Sequence, residues 1–265
     1  MGASGFLLAA ARFKLMPVGK LVALLGGMGL VIASACVFNN YIDRNIDQKM
    51  SRTKKRALVT HKIGGPAALL FATALGAAGF GVLILFTNSR VVWLNLAAIF
   101  SYVVLYGWAK RNSVHGTLVG TVPGAIPPAA GYAAVAPLDR AALLLFLVLV
   151  FWQMAHFYSI AMYRFNDYKA AGLPVMPIRY GMRSTRWQIM AYLSLLAAVL
   201  IGLVIAGIDG WIFLGASLVL CVYWFRAGVI DFKLPDEKWG RRMFLSSLIV
   251  LIGLSFLIPL GAVLP

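Results

Sequence analysis

Apolar runs of about twenty residues recur along the whole 265-residue chain. Each run is long enough to cross the ~30 Å hydrocarbon core of a bilayer as an α-helix. Segments such as LLLFLVLVFWQMAHFYSIAMY are apolar on every face, whereas membrane-spanning β-strands alternate apolar and polar residues. The sequence therefore predicts an all-α fold, a polytopic transmembrane helical bundle.

Polar residues between the apolar runs divide the chain into eight spans, with no soluble domain among them. The spans are predicted at residues 20–41, 64–86, 91–109, 114–136, 141–163, 187–207, 211–229 and 243–263. We expect residues 1–265 to form one integral membrane domain.

The net charge of +16 arises from 24 Lys and Arg against 8 Asp and Glu, and these charges are concentrated in alternate loops. The loops at 43–62, 110–113, 164–186 and 226–242 contain nineteen of the cations, whereas those at 87–90, 137–140 and 208–210 contain only Arg90 and Arg140. The positive-inside rule predicts that the basic loops face the cytoplasm. Because the cations lie between spans, they give no reason to expect nucleic acid as a partner.

The end of the first span carries three oxygen-bearing side chains at intervals of four residues: Asn39, Asp43 and Asp47. If the helix continues, each interval turns the chain by about 400°, so the three side chains share an arc of about 80°. An amide oxygen and two carboxylates suit Mg²⁺, which completes its coordination with water and phosphate oxygens. The alternative is an ordinary solvated helix end.

Cations surround this stripe in greater number than two carboxylates neutralise, and Asp167 adds a third carboxylate in another basic loop. Carboxylates, a metal ion and cations together predict a diphosphate site, although each Lys, Arg or Tyr alone is also typical of a membrane interface. The candidate phosphate ligands are Arg52, Arg56, Lys110, Arg111, Arg164 and Lys169.

His156 lies near the middle of FWQMAHFYSIAMYRF, about two turns before Arg164, and no other Asp, Glu, His, Lys or Arg occurs between Arg140 and Arg164. An ionisable side chain at such depth indicates a functional site, whereas the alternative is a histidine hydrogen-bonded to a neighbouring helix. Span 114–136 contains Pro123, Pro127 and Pro128 among small residues. This pattern is typical either of close helix packing or of a wall bent around a cavity.

Three segments resemble, in order and spacing, signature segments of the UbiA superfamily of intramembrane prenyltransferases, and within it the branch that farnesylates protohaem IX. They are CVFNNYIDRNIDQKMSRTKKRAL, YGWAKRNSVHGTLVGTVPGAIPP and WQMAHFYSIAMYRFNDYKAAGLPVMP. The resemblance covers residues 21–260. It implies Mg²⁺-dependent transfer of a farnesyl group from farnesyl diphosphate to the 2-vinyl group of protohaem IX (haem B), which gives haem O for terminal oxidases.

The resemblance also implies roles for single residues. Asn39, Asp43, Asp47 and Asp167 would bind Mg²⁺, the last three as catalytic residues, and the six candidate cations would hold the diphosphate. His156 would contact the porphyrin or its iron, and Tyr41, Tyr106, Tyr158 and Tyr163 would shield the allylic cation. Asp167 stands alone where other branches have paired aspartates. The family usually has nine spans, so MGASGFLLAA is interpreted as the tail of the first, beside eight full spans.

The expected partners are farnesyl diphosphate and haem B as substrates, membrane lipid, and haem A synthase or assembly proteins of terminal oxidases. The expected location is a bacterial inner membrane. Two other functions stay open: a UbiA-type prenyltransferase with an aromatic or chlorophyll-like acceptor, and a non-enzymatic haem transporter or assembly factor. His156 within WQMAH favours haem over other acceptors, and a requirement for Mg²⁺ would separate an enzyme from a transporter.

Overall fold

The chain is an all-helical bundle in a computed structural model that describes residues 1–264, and no β-strand occurs in that range. The helices are α1 (Gly2–Phe13), α2 (Val18–Asp47), α3 (Gly65–Phe86), α4 (Ser89–Phe100), a π-helical segment (Ser101–Tyr106), α5 (Gly107–Asn112), α6 (Gly116–Val135), α7 (Arg140–Tyr163), α8 (Phe165–Ala170), α9 (Met176–Ile205), α10 (Trp211–Ile230) and α11 (Asp236–Gly261). Eight helical units within residues 1–264 are long and apolar enough to cross a membrane, with Ser89–Asn112 counted as one. The predicted integral membrane bundle is confirmed.

Each predicted span coincides with one of these units, but several helices extend beyond the apolar run. α2 continues to Asp47, and α11 begins at Asp236 rather than 243. α9 begins at Met176 rather than 187, but its helical backbone is interrupted by a kink at Gly181, where φ is 83°. Hydropathy detects only the part of a helix that lies in hydrocarbon, whereas backbone hydrogen bonding continues into the polar interface. Several candidate polar residues therefore stand on rigid helical turns and not on loops.

α6 and α7 form the centre of the bundle. α6 packs against α1 and α7, while α7 also packs against α9 and α11. α6 stays continuous through its three prolines, and its glycines allow other groups to approach its backbone closely. A Cβ atom at Gly131 would lie 2.0 Å from the carbonyl oxygen of Gly2 in α1. The expected close packing through small residues is therefore present.

The short helix α1 is a buried part of the bundle. Its 12 residues cover about 18 Å, which is too short to cross a bilayer. Phe6 and Leu8 are fully buried, and Ser4 Oγ donates to the carbonyl oxygen of Ser255 in α11 at 2.8 Å. α1 thus fills the space between α6 and α11 at the end of the bundle that lacks the basic loops.

Asp209, in the turn between α9 and α10, is a buried carboxyl at that same end. Its side chain is only 6% exposed, and neither carboxyl oxygen has a hydrogen-bond partner within residues 1–264. Gly261 at the end of α11 packs so closely that a Cβ atom there would lie 2.9 Å from Asp209 Oδ1. Burial raises the pKa of the carboxyl to about 7, and the Arg12 guanidinium acts in the opposite direction.

This burial makes stability dependent on pH. The folded chain holds the Asp209 proton more tightly than an unfolded chain, in which an aspartate has a pKa of about 3.9. We therefore expect stability to fall as pH rises from about 4 to about 7, and to remain low above that. At ~1.4 kcal/mol for each pKa unit, the ionised form costs about 4 kcal/mol.

The Asp209→Asn variant should lose this dependence and melt at a higher temperature than wild type at pH 8, measured in detergent micelles between pH 5 and pH 8. Glu237→Gln, which changes an exposed carboxyl on α11, is the matched control and should keep the wild-type slope. Equal slopes in Asp209→Asn and wild type would contradict the prediction.

Candidate active site

Asn39, Asp43 and Asp47 lie buried on the inner face of α2. These residues are 8%, 9% and 4% exposed, respectively. The helix remains regular to Asp47, so the four-residue spacing places all three oxygen-bearing side chains along one stripe. This burial excludes the alternative of a solvated helix end.

Three cations from two other parts of the chain contact this stripe. Lys110 Nζ donates to Asn39 Oδ1 at 2.7 Å and also to the Asp43 carboxylate, while Arg111 Nη2 donates to Asp43 Oδ1 at 3.0 Å. Arg56 Nη1 donates to Asp47 Oδ2 at 2.7 Å. The structure thus brings α5 and the α2–α3 loop onto the stripe, and each carboxylate is paired with at least one cation.

Asp167, on the short helix α8, is held beside the α2–α3 loop. The backbone N–H of Ser51 donates to Asp167 Oδ1 at 3.0 Å, whereas Oδ2 is buried with no hydrogen-bond partner in the described chain. Desolvation opposes ionisation, but the hydrogen bond from Ser51 and the charges of Arg164 and Arg52 outweigh it and lower the pKa of this carboxyl. The ionised form of Asp167 is therefore favoured, and one of its oxygens has no partner within residues 1–264.

The remaining candidate cations do not contact these carboxylates. Arg52 and Lys169 are exposed, and the Arg164 guanidinium lies over the ring of Tyr163 at 4.3 Å from its centroid. Arg52 and Arg164 act on Asp167 only through their longer-range charge. Their assignment to phosphate oxygens stays a prediction.

The donor set fits Mg²⁺ that is shared with a substrate. Asn39, Asp43 and Asp47 supply only oxygen atoms, which hard divalent cations prefer. Asp167 adds a carboxylate oxygen that is buried without a partner in the described chain, but this oxygen lies in a separate cleft. Within residues 1–264, however, no three His, Cys, Asp or Glu side chains converge as a closed metal site. An ion at this end of the bundle would therefore need phosphate and water oxygens to complete its coordination.

Two neighbouring cavities lie near the stripe. A cavity of about 170 Å³ is lined by Lys110 and Tyr106, and a mainly apolar cavity of about 250 Å³ lies deeper in the bundle. Tyr102, Gly120 and Phe157 border both. The proline-rich helix α6 thus also forms a cavity wall, so both sequence interpretations of it hold.

The π-helical segment places an aromatic pair between the two cavities. Tyr102 and Tyr106 stack with ring centroids 5.6 Å apart, and Lys110 Nζ lies 4.9 Å from the Tyr106 centroid. π-helical turns are rare and occur frequently at functional sites. Tyr102 was not among the residues predicted from the sequence, although its four-residue spacing from Tyr106 places the two rings on one face of a helix.

The other tyrosines predicted as shields lie elsewhere. Tyr41 packs against Arg44 and Gly65 at the outer side of α2, and Tyr158 packs on Tyr192 of α9 with centroids 6.0 Å apart. Tyr163 faces a separate polar cleft that contains Asp167. Of the four, only Tyr106 borders the cavities beside Lys110, because aromatic spacing alone does not reveal which helix a ring faces.

Gly120 borders both cavities, and its lack of a side chain lets an aromatic ring approach its backbone closely. A Cβ atom there would lie 2.8 Å from the Tyr106 ring. We expect Gly120→Val to displace Tyr106, to narrow both cavities and to destabilise the fold by ~1–3 kcal/mol, the typical cost of overpacking. Thermal unfolding in detergent micelles measures this, with Gly81→Val, which meets open space on α3, as the matched control.

His156 lies on another face of α7, towards α11. The residue is 8% exposed, and Nδ1 lies 2.6 Å from Ser247 Oγ. Its ring stacks on Trp152 at 4.6 Å and meets the edge of Phe157, a residue of both cavity walls, at 5.3 Å. His156 itself borders neither cavity, whereas Phe157, whose ring it contacts, borders both.

Arg186 is a buried cation that sequence reasoning counted only among the loop charges. It is 6% exposed; Nη2 donates to Asp236 Oδ1 at 2.7 Å and to the carbonyl oxygen of Leu234 at 2.8 Å. Its guanidinium also lies about 5 Å from the rings of Phe232 and Trp239. These contacts fix the α10–α11 turn to the start of α9, and no local sequence pattern distinguishes this arginine from its neighbours.

Comparisons with known proteins give a family and close relatives. The sequence profile described as the UbiA prenyltransferase family matches residues 1–248. A protoheme IX farnesyltransferase of Sodalis glossinidius is 40% identical over 265 residues, which cover 98% of this chain and 89% of that one. One from Acinetobacter baylyi is 44% identical over 241 residues, covering 89% and 82%.

Solved structures with the same fold have low sequence identity to this chain. A digeranylgeranylglyceryl phosphate synthase superimposes with a TM-score of 0.80 at 17% identity, covering 99% of this chain and 92% of that one. A UbiA homolog from Archaeoglobus fulgidus, bound to GPP and Mg²⁺, gives a TM-score of 0.64 at 16% identity, covering 96% and 95%. At such identities the likeness extends to the fold alone.

Proposed function

Because the chain belongs to the UbiA prenyltransferase family, we propose that it transfers the farnesyl group of farnesyl diphosphate to the 2-vinyl group of protohaem IX, giving haem O and diphosphate. The relatives at about 40% identity are named for this reaction and align over nearly the whole chain. We also propose that residues 1–265 act as one catalytic domain.

The observation that carries the proposal is the buried arrangement of Asn39, Asp43 and Asp47 with Lys110 and Arg111. Oxygen donors and cations lie within hydrogen-bond distance of one another, and Lys110 also lines the smaller of the two cavities. A prenyl diphosphate has the complementary form, with a highly charged head and a long apolar tail. Such a substrate would place its head at the stripe and its chain among apolar and aromatic side chains.

The reaction needs a leaving group whose charge is stabilised. The C1–O bond of farnesyl diphosphate breaks and its electron pair leaves with diphosphate, while the terminal vinyl carbon forms the new bond to C1. A hydroxyl group from water adds to the other vinyl carbon, and the remaining proton leaves to solvent. Lys110, Arg111 and Arg56 supply positive charge where diphosphate charge develops, and the Tyr102–Tyr106 pair excludes water from the developing cation.

A divalent cation belongs to the same proposal. The Asn39, Asp43, Asp47 and Asp167 oxygens would hold Mg²⁺; the UbiA homolog from Archaeoglobus fulgidus is bound to Mg²⁺ together with GPP. Bound there, Mg²⁺ supplies Lewis-acid stabilisation of the leaving diphosphate. The carboxylates orient the charged head, and Lys110 and Arg111 hold the phosphate oxygens that remain.

We propose a bacterial inner membrane as the location, with the stripe facing the cytoplasm, where farnesyl diphosphate would arrive from water. The concentration of Lys and Arg in the loops at this end supports that orientation. Haem A synthase and assembly proteins of terminal oxidases are the expected recipients of the product.

The direct test is to incubate the purified chain with haem B, farnesyl diphosphate and Mg²⁺ and to identify haem O by mass. We expect product that requires all three and disappears with a chelator. Farnesylation of an aromatic acid in place of haem would overturn the acceptor assignment. Haem binding without any farnesyl transfer would favour a transporter.

A further inference from the structure

His156 is held by a single residue of the opposite helix. Trp152 and His156, one turn apart on α7, both meet Ser247 of α11, which is fully buried. Trp152 Nε1 donates to the Ser247 carbonyl oxygen at 2.9 Å, and His156 Nδ1 lies 2.6 Å from its hydroxyl oxygen. The rings of Trp152, Phe157 and Phe244 surround the imidazole, so the ring has little freedom to turn.

The direction of the hydrogen bond between His156 and Ser247 follows from the protons available. A serine hydroxyl has one hydrogen to donate, and that of Ser247 is directed to the carbonyl oxygen of Phe244, which only accepts. Ser247 Oγ therefore accepts from His156, and Nδ1 is the protonated nitrogen. In a neutral imidazole the other nitrogen, Nε2, then carries a lone pair.

Nε2 is available to a ligand. It makes no hydrogen bond to any other residue of the described chain, and His156 keeps 8% of its surface exposed. A neutral imidazole with Nδ1–H bonded to an acceptor is the usual form of a metal-ligating histidine, because that bond fixes the ring and increases its basicity.

We propose that Ser247 is a positioning residue that fixes His156 in the Nδ1–H tautomer, so that Nε2 binds the iron of the haem substrate. The inference rests on the proposed function for its substrate, and it adds a residue that sequence analysis did not identify. Ser247 itself does not contact the haem; it acts through the imidazole. A histidine that served only to join α7 to α11 would need no particular tautomer.

The test uses the purified full-length protein in detergent with ferrous haem B and records the iron–histidine stretching band by resonance Raman spectroscopy. Wild type should show this band, and His156→Ala should lack it. Ser247→Ala should shift the band to lower frequency and weaken haem binding by about 10- to 100-fold, the usual effect of removing such a partner. Ser246→Ala, which deletes the neighbouring buried hydroxyl, should keep the wild-type band and affinity.

Two further variants, whose side chains have the same shape as each other, separate loss of the hydroxyl from a change in packing. Ser247→Thr retains the hydroxyl and should keep the wild-type band, whereas Ser247→Val should shift it as the alanine variant does. An unshifted band in Ser247→Ala or Ser247→Val, or a wild-type band that persists in His156→Ala, overturns the inference. Farnesyl transfer is assayed on the same preparations, so product formation without an iron–histidine band would refute this inference and leave the proposed function standing.

Discussion

Replacing Asp43 by asparagine is expected to lower farnesyl transfer by about 10³-fold while the protein stays folded. Asp43 is 9% exposed and is paired with both Lys110 and Arg111. Asparagine lacks the charge that would hold Mg²⁺, which supplies several kcal/mol of transition-state charge stabilisation, and each ~1.4 kcal/mol in an activation barrier changes the rate tenfold. The measurement is initial rate of haem O formation at saturating farnesyl diphosphate, haem B and Mg²⁺.

Asn45→Ala is the matched control for this variant. Asn45 lies on the same turn of α2 between the two aspartates, but its side chain is exposed. We expect its rate to remain within about twofold of wild type, since exposed substitutions away from such contacts have small effects. A comparable loss in both variants would indicate a general disturbance of this helix end, and a nearly normal rate for Asp43→Asn would refute its place in the active site.

Replacing His156 by phenylalanine is expected to reduce transfer to haem by at least about 100-fold. Phenylalanine preserves the aromatic packing on Trp152 and Phe244 but removes the nitrogen that we assign to the iron. The loss should exceed the 10- to 100-fold effect typical of outer-shell partners, because the ligand itself is absent. Haem affinity and turnover, measured separately, should both decline.

Binding of farnesyl diphosphate provides the contrast. The oxygen stripe lies on α2 and two of its cations lie on α5, whereas His156 contacts α11. A radiolabelled farnesyl diphosphate should therefore bind His156→Phe with nearly wild-type affinity. Asp43→Asn should show the opposite pattern, with normal haem binding and impaired binding of the diphosphate. Parallel loss of both substrates in His156→Phe would mean that the variant has lost its fold.

The membrane spans and the oxygen stripe were predictable because each depends on local periodicity. Apolar runs of the required length specify membrane helices whatever their neighbours, and a four-residue spacing of Asn39, Asp43 and Asp47 defines one face in any helix. The depth of His156 was visible for the same reason. Helix ends were less predictable, because α11 and, across a kink at Gly181, α9 extend into polar sequence that hydropathy scores as loop.

Contacts between helices were the part that the sequence did not reveal. Lys110 and Arg111 were predicted to hold phosphate, but their pairing with Asp43 depends on how α5 docks against α2, 67 and 68 residues away. The Ser247 contact of His156 spans 91 residues, and serines are common in membrane helices. Tyr41 and Tyr158 were predicted as shields because the sequence shows that they are aromatic but does not show in which direction their rings point.

Phe157 and His156 lie on two different faces of α7, so the function of this helix should depend more on its length than on most of its side chains. Phe157 borders the cavities and His156 contacts α11, and adjacent residues on a helix point about 100° apart. The angle at which two substrates would meet is therefore set by backbone winding, which substitution leaves intact. One inserted or deleted residue would rotate every later side chain by that angle, so length variation among functional relatives should be confined to the loops that flank this helix.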